Sequence, residues 1–139
     1  MLISADSVRK LAKQITESNE VFCSGLFLSA KWFAVSELDD DDVQLIVLPD
    51  KDTAEYCAAD LYSLIEGDNV FFLPDSGKSL ERSNYKSSLS VQRTSALGKI
   101  LDHKGGRLIV VTYPAALEEG IPEAKKIKES LLTLSVGDE

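Results

Sequence analysis

Three short apolar runs, separated by stretches of helical pattern, constrain this chain more than any other feature. Val43-Gln44-Leu45-Ile46-Val47-Leu48 closes at Pro49, Asn69-Val70-Phe71-Phe72-Leu73 closes at Pro74, and Arg107-Leu108-Ile109-Val110-Val111-Thr112 leads into Tyr113-Pro114. Runs of this length with little polar alternation predict strands covered on both faces, the habit of parallel sheets. Between the first two lies a helix predicted over residues 51–66, with Ala54, Cys57, Ala58, Leu61 and Ile65 on one face. Asp50 stands as its N-cap and Gly67 as its stop. A second helix is expected over 88–103, with Leu89, Ala96, Leu97, Ile100 and Leu101 apolar and Gly105-Gly106 breaking it. Strands joined through helices predict an α/β fold of three layers around a mainly parallel sheet.

The flanks extend this pattern. Val8, Leu11, Ala12 and Ile15 fall at helical spacing over residues 5–18, and Glu20-Val21-Phe22-Cys23-Ser24 is expected as a buried strand ending at Gly25. Residues 29–38 are expected as a helix with Ala30, Phe33 and Ala34 inward, and 74–86 as the longest loop. After a short helix at 115–119, residues 123–129 read as a charged helix and 131–136 as a strand, with the turn signature Gly137-Asp138-Glu139 last. On this reading residues 1–120 form the domain, residues 121–139 lead into a following one, and the chain is a piece of a longer protein. The 139 residues suit one core.

Cys23 and Cys57 sit in apolar stretches without close-spaced partners, so both are expected as reduced core thiols. No apolar run approaches the roughly 18 residues of a membrane span, and no basic start precedes an apolar block as in a signal peptide. A cytoplasmic domain without membrane contact is the expectation.

Charge is unevenly divided. Residues 1–75 carry 5 basic and 15 acidic side chains, whereas residues 76–139 carry 10 basic and 8 acidic, within a net charge of −8. The acidic average argues against general nucleic-acid binding, which needs clustered positive charge. A local basic strip over 76–107 remains, and Lys78, Arg82, Lys86 and Arg93 are its candidate phosphate contacts. Tyr85 is the strip's one aromatic, which gives no stacking platform for single strands.

The segment after the expected first strand is where an α/β protein holds phosphate. Laid on Gly25-Leu26-Phe27-Leu28-Ser29-Ala30-Lys31-Trp32, the P-loop pattern G-x-x-x-x-G-K-[ST] matches at Gly25 and Lys31. Ala30 stands at the second glycine, and Trp32 at the hydroxyl that ligates magnesium. Bulky Leu26, Phe27 and Leu28 occupy positions where the backbone must curl around phosphates. Without the metal-bound hydroxyl the P-loop mechanism has no Mg²⁺ anchor. Gly25, Ala30, Lys31 and Trp32 are therefore taken as an inactive remnant of a nucleotide site, and no enzyme activity is expected of this chain.

Taken together, the segments Gly25–Phe33, Ile46-Val47-Leu48-Pro49-Asp50-Lys51-Asp52-Thr53-Ala54-Glu55-Tyr56 and Ile109-Val110-Val111-Thr112-Tyr113-Pro114-Ala115-Ala116-Leu117 resemble, in order and spacing, the N-terminal module of the bacterial transcription-repair coupling factor family, the part similar to UvrB-type excision-repair helicases. The resemblance spans about residues 20–119. It implies a RecA-like (P-loop helicase) domain with a degenerate nucleotide site, in a parent that is an ATP-driven DNA translocase of nucleotide excision repair. It implies no cofactor for this chain, with ATP and Mg²⁺ belonging to the parent's motor domains. The implied partners are the neighbouring domains, UvrA through the adjoining domain, and RNA polymerase and DNA through distant domains. Recruitment and autoinhibition are the implied roles.

Other features carry less. Asp39-Asp40-Asp41-Asp42 lacks the alternation of a calcium loop and reads as a solvated turn, so no metal site is expected. His103 reads as a helix C-terminal residue. The serines lack a G-x-S-x-G elbow and a triad partner. Asp50 as a phosphoacceptor would need an acidic pair where Ser24-Gly25-Leu26 stands. Two alternatives stay open: a working P-loop ATPase, and a generic α/β interaction domain.

Overall fold

The computed structural model describes residues 5–38, 43–77 and 84–130. Its elements run α1 (Ala5–Glu17), α2 (Ala30–Ser36), β1 (Val43–Val47), α3 (Lys51–Leu64), β2 (Val70–Phe72), α4 (Asn84–Asp102), β3 (Leu108–Thr112), α5 (Pro114–Glu118) and α6 (Ala124–Ser130). The three strands form a parallel sheet in the order β1-β3-β2, so the α/β expectation holds. β3 lies between the other two, and every residue in it is buried.

Strand periodicity divides the core in two. Ile109 and Val111 face one side of β3, where α3 lays down Ala54, Cys57, Ala58 and Leu61 and α2 adds Trp32. Leu108 and Val110 face the other side, against Ala96 and Leu97 of α4 and Ile127 of α6. Each fully buried aliphatic side chain here contributes about 1.5–3 kcal/mol. The helix over residue 51 starts where the sequence places it: the Asp50 carboxylate accepts the Thr53 amide at 2.8 Å and its hydroxyl at 3.0 Å. Those hydrogen bonds, the amide foremost, hold the Asp50 carboxyl below the usual carboxylate range. Gly67, at φ +88°, turns the chain after α3 in a conformation a side chain would strain.

Four expectations need correction. Residues 20–24 are irregular and pair with no strand, with Phe22 96% exposed and Cys23 exposed, so Cys23 is no core thiol. β propensity describes how a residue fits a pleated, half-buried surface, and this segment meets no such surface. In α2 it is Trp32 and Ala34 that face the core, while Phe33 is exposed. The indole is the larger apolar surface, and its burial sets the rotation of the helix.

β1, expected to be covered on both faces, is an edge strand among the described residues. Leu45 is 57% exposed, and Val43 and Val47 are exposed beside it, because, among the described residues, α4 and α6 cover β3 and β2 on that face but not β1. Finally, α4 begins at Asn84 and so takes in the end of the stretch expected as loop. The expected strand at 131–136, the turn after it and the Asp39–Asp42 run lie outside the described residues.

The unequal cover of the sheet has a measurable consequence. Leu61→Ala, at a fully buried site, is expected to cost about 3 kcal/mol in urea unfolding, whereas Leu45→Ala should cost under about 1 kcal/mol. Equal losses at the two positions would mean that β1 is covered in solution.

Candidate functional site

The remnant loop occupies the junction of α2 and α3. Gly25 has φ +81°, yet a Cβ there would meet nothing within 4 Å, so this glycine lines no close-fitting cradle. The backbone donors that a phosphate loop points outward are used within the turn. The Ala30 amide donates to Phe27 O at 3.1 Å, and those of Trp32 and Phe33 donate to Ser29 O at 3.0 Å each. Trp32, at the position of the magnesium-ligating hydroxyl, packs its indole into the core with Leu48, Ala54 and Leu61. Lys31 does not reach over a loop; its ammonium lies 4.5 Å from the centroid of the Trp32 ring. Each is a departure that the residue types require, since an indole at this position is stable inside and a lysine stem lies along it.

These residues join α3 in an open cleft of about 330 Å³ lined by Leu28, Ser29, Lys31, Trp32, Thr53, Tyr56 and Asp60. Asp60 accepts the Ser29 hydroxyl at 2.6 Å, which places a carboxylate in the same cleft as Lys31. Sequence reasoning brought Gly25, Ala30, Lys31 and Trp32 to this place but missed Tyr56 and Asp60. Their spacing of four along an amphipathic helix was the available signal, because it puts both on one face. Beneath the cleft, burial pushes the Cys57 thiol up to about 12, with Asp60 adding to the rise and Lys31 opposing it.

A second group gathers at the carboxyl ends of β2 and β3, where open α/β sheets hold their ligands. The Tyr113 hydroxyl donates to the Asp75 carboxylate at 2.5 Å and accepts the Asp75 amide at 3.0 Å. Burial first, and then that hydrogen bond, raise the Tyr113 pKa. Glu119 accepts the Ser76 amide at 2.7 Å and the Ser76 hydroxyl at 2.5 Å. Arg93, only 5% exposed, donates to Pro74 O at 2.7 Å, Ala116 O at 3.1 Å and Glu119 O at 3.1 Å, with Nε 3.8 Å from the Glu119 carboxylate. A cavity of about 370 Å³ opens beside it, bounded by Ser90, Thr94 and Lys126 among others.

Arg93 is therefore a correction to the sequence reading. Its guanidinium is turned inward to carbonyl oxygens, because the loops after β2 and α5 bury acceptors that need a donor. Arg107 behaves alike, donating to Val35 O and Ser36 O at the end of α2. Lys99 lies 6.0 Å from the Phe71 ring. Lys78, Arg82 and the Lys86 side chain lie outside the described residues. His103 follows α4, its Nε2 3.0 Å from Gly106 O. Among the described residues no group of three or more His, Cys, Asp or Glu side chains could hold a metal ion, and no helix is long and apolar enough to cross a membrane.

Two expectations follow. Arg93→Ala strands buried carbonyl oxygens and the Glu119 carboxylate, and is expected to cost about 3–5 kcal/mol in urea unfolding; a loss near zero would show that water replaces the guanidinium. The raised Cys57 thiol favours the protonated folded state, so its stabilisation is complete below the ordinary thiol value of 9.0 and is lost as pH rises toward about 12. Urea midpoints should be flat up to about pH 9 and fall above it, with a shallower fall in Cys57→Ala. An unchanged slope in that variant would remove the thiol from the account. Compared with known proteins, the chain matches no family model, no curated protein and no solved structure.

Proposed function

We propose that this chain is a non-catalytic scaffold: a RecA-like module whose nucleotide site has been filled by its own side chains. In this reading it is the N-terminal module of a transcription-repair coupling factor. It carries an adjoining UvrA-binding domain and helps hold that domain masked until the parent translocase engages stalled RNA polymerase. The observation that supports it best is the loop at residues 25–33. The Ala30, Trp32 and Phe33 amides close turns, Trp32 is in the core, and Asp60 brings negative charge to the cleft. Phosphate binding at a P-loop needs the opposite of each.

The open side of the sheet agrees with a scaffold role. Val43, Leu45 and Val47 present an exposed apolar stripe on β1, an edge strand among the described residues, and such edges are normally covered by another element or blunted by charge. In this reading a neighbouring domain covers it. Direct DNA contact would rest on Lys78, Arg82 and Lys86, since Arg93 is occupied internally.

Two measurements test the proposal. Titration calorimetry of the chain with ATP·Mg²⁺ is expected to give no saturable heat, and micromolar binding would instead support a working P-loop enzyme. The module joined to its adjoining domain should retain purified UvrA in a pull-down; failure to do so, with the folded state verified by circular dichroism, would sink the repair assignment.

A further inference from the structure

The cleft between α2 and α3 has a composition that the scaffold role leaves unused. Its floor is the Trp32 indole, and its rim is Leu28, 88% exposed, and Tyr56, 75% exposed. Leu28 has φ +50°, the left-handed region that favours glycine, and it is the only non-glycine residue with positive φ among those described. A leucine held there at an energetic cost, with its side chain in water, belongs to the strained positions that concentrate at binding sites. Large exposed apolar side chains around a concave, carboxylate-bearing surface are the pattern of a protein-docking spot.

The charges in and around the cleft define the partner. Those lining it are Lys31 and Asp60. Lys31 lies over the Trp32 face, and the Asp60 carboxylate accepts a hydrogen bond from the uncharged Ser29 hydroxyl. Asp52 and Glu55 precede Tyr56 on the same helix, with Glu55 3.6 Å from Lys51. An anion is disfavoured here, and a cation with a flat, stackable face is favoured.

We propose that this cleft docks an arginine-bearing apolar segment of a partner protein, the guanidinium stacking on Tyr56 and pairing with Asp60 while a neighbouring aliphatic residue packs on Leu28. A guanidinium suits both contacts, because it is planar, always charged and able to present two parallel N–H donors to a carboxylate. Its stacking on an aromatic face adds attraction that an ammonium on a flexible stem meets less well. The inference is independent of the repair assignment, since it rests only on the cleft.

Trp32 is the one tryptophan in the chain and forms the cleft floor, so its fluorescence reports on the site directly. The probe is N-acetyl-leucyl-argininamide, titrated into the full chain at low salt, with the citrulline analogue as the uncharged isostere. A saturable emission change is expected with the arginine peptide, weakened about tenfold for citrulline, since a charge-assisted pair is roughly twice as strong as a neutral one. The change should weaken as salt is raised. Asp60→Asn, which keeps an acceptor for Ser29, should abolish the preference for arginine over citrulline, and Tyr56→Ala should weaken both peptides. Tyr56 is exposed, so that variant leaves the core intact. Absence of any saturable change, equal responses to the two peptides, or a preference that survives Asp60→Asn would overturn the proposal.

Discussion

The inward-facing guanidinium of Arg93 is the constraint on which much of this structure depends. From the middle of α4 it reaches the loop after β2 through Pro74 O and the segment at and after α5 through Ala116 O and Glu119 O. Those loops carry the Asp75–Tyr113 and Ser76–Glu119 contacts. One planar cation thus satisfies carbonyl acceptors from two separate loops at the carboxyl edge of a three-stranded sheet. A buried charge of this kind is tolerated because every contact made to it is an oxygen acceptor. Its cost is desolvation, and what it provides is a fixed relation between α4, β2 and α5.

Arg107 plays a parallel part on the other face, closing α2 through the carbonyls of Val35 and Ser36. With Arg93 and Arg107 donating to backbone carbonyls, two of the charges counted in the basic strip of residues 76–107 are committed within the fold. Charge that counts in the sequence is not charge that reaches solvent. On α3, by contrast, Asp60 lines an open cleft together with Tyr56 and Trp32, and there the charge faces a surface a partner can reach.

The loop of residues 25–33 and the edge strand β1 show the same principle from opposite sides. At the loop, Trp32 packs into the core and the Ala30, Trp32 and Phe33 amides close turns, so those donors are used within the chain. At β1, apolar residues that ought to be inside are left uncovered on one face.

How far these features were legible depended on the range of the interaction behind them. Helix α3 with its Asp50 cap and Gly67 stop, the buried strand β3, and the departures from the P-loop pattern at Ala30 and Trp32 follow from residues within one or two turns of each other, so local pattern was enough. The orientation of Arg93, the pairing of Tyr113 with Asp75 and the union of Tyr56 and Asp60 with the remnant loop join residues about 20–40 positions apart in sequence, which no periodicity encodes. Sequence reasoning also went astray where burial decides the outcome. Residues 20–24 have strand-like side chains but pair with neither edge of the described sheet, and β1 has core-like side chains but no helix over one face among the described residues. By itself the sequence determined the helix capped by Asp50, the strands at 43–47, 70–72 and 108–112, and the departures from the P-loop pattern at Ala30 and Trp32. Only the tertiary structure decided which charged and apolar groups remain exposed, because burial is a property of the neighbours a residue meets and not of the residue.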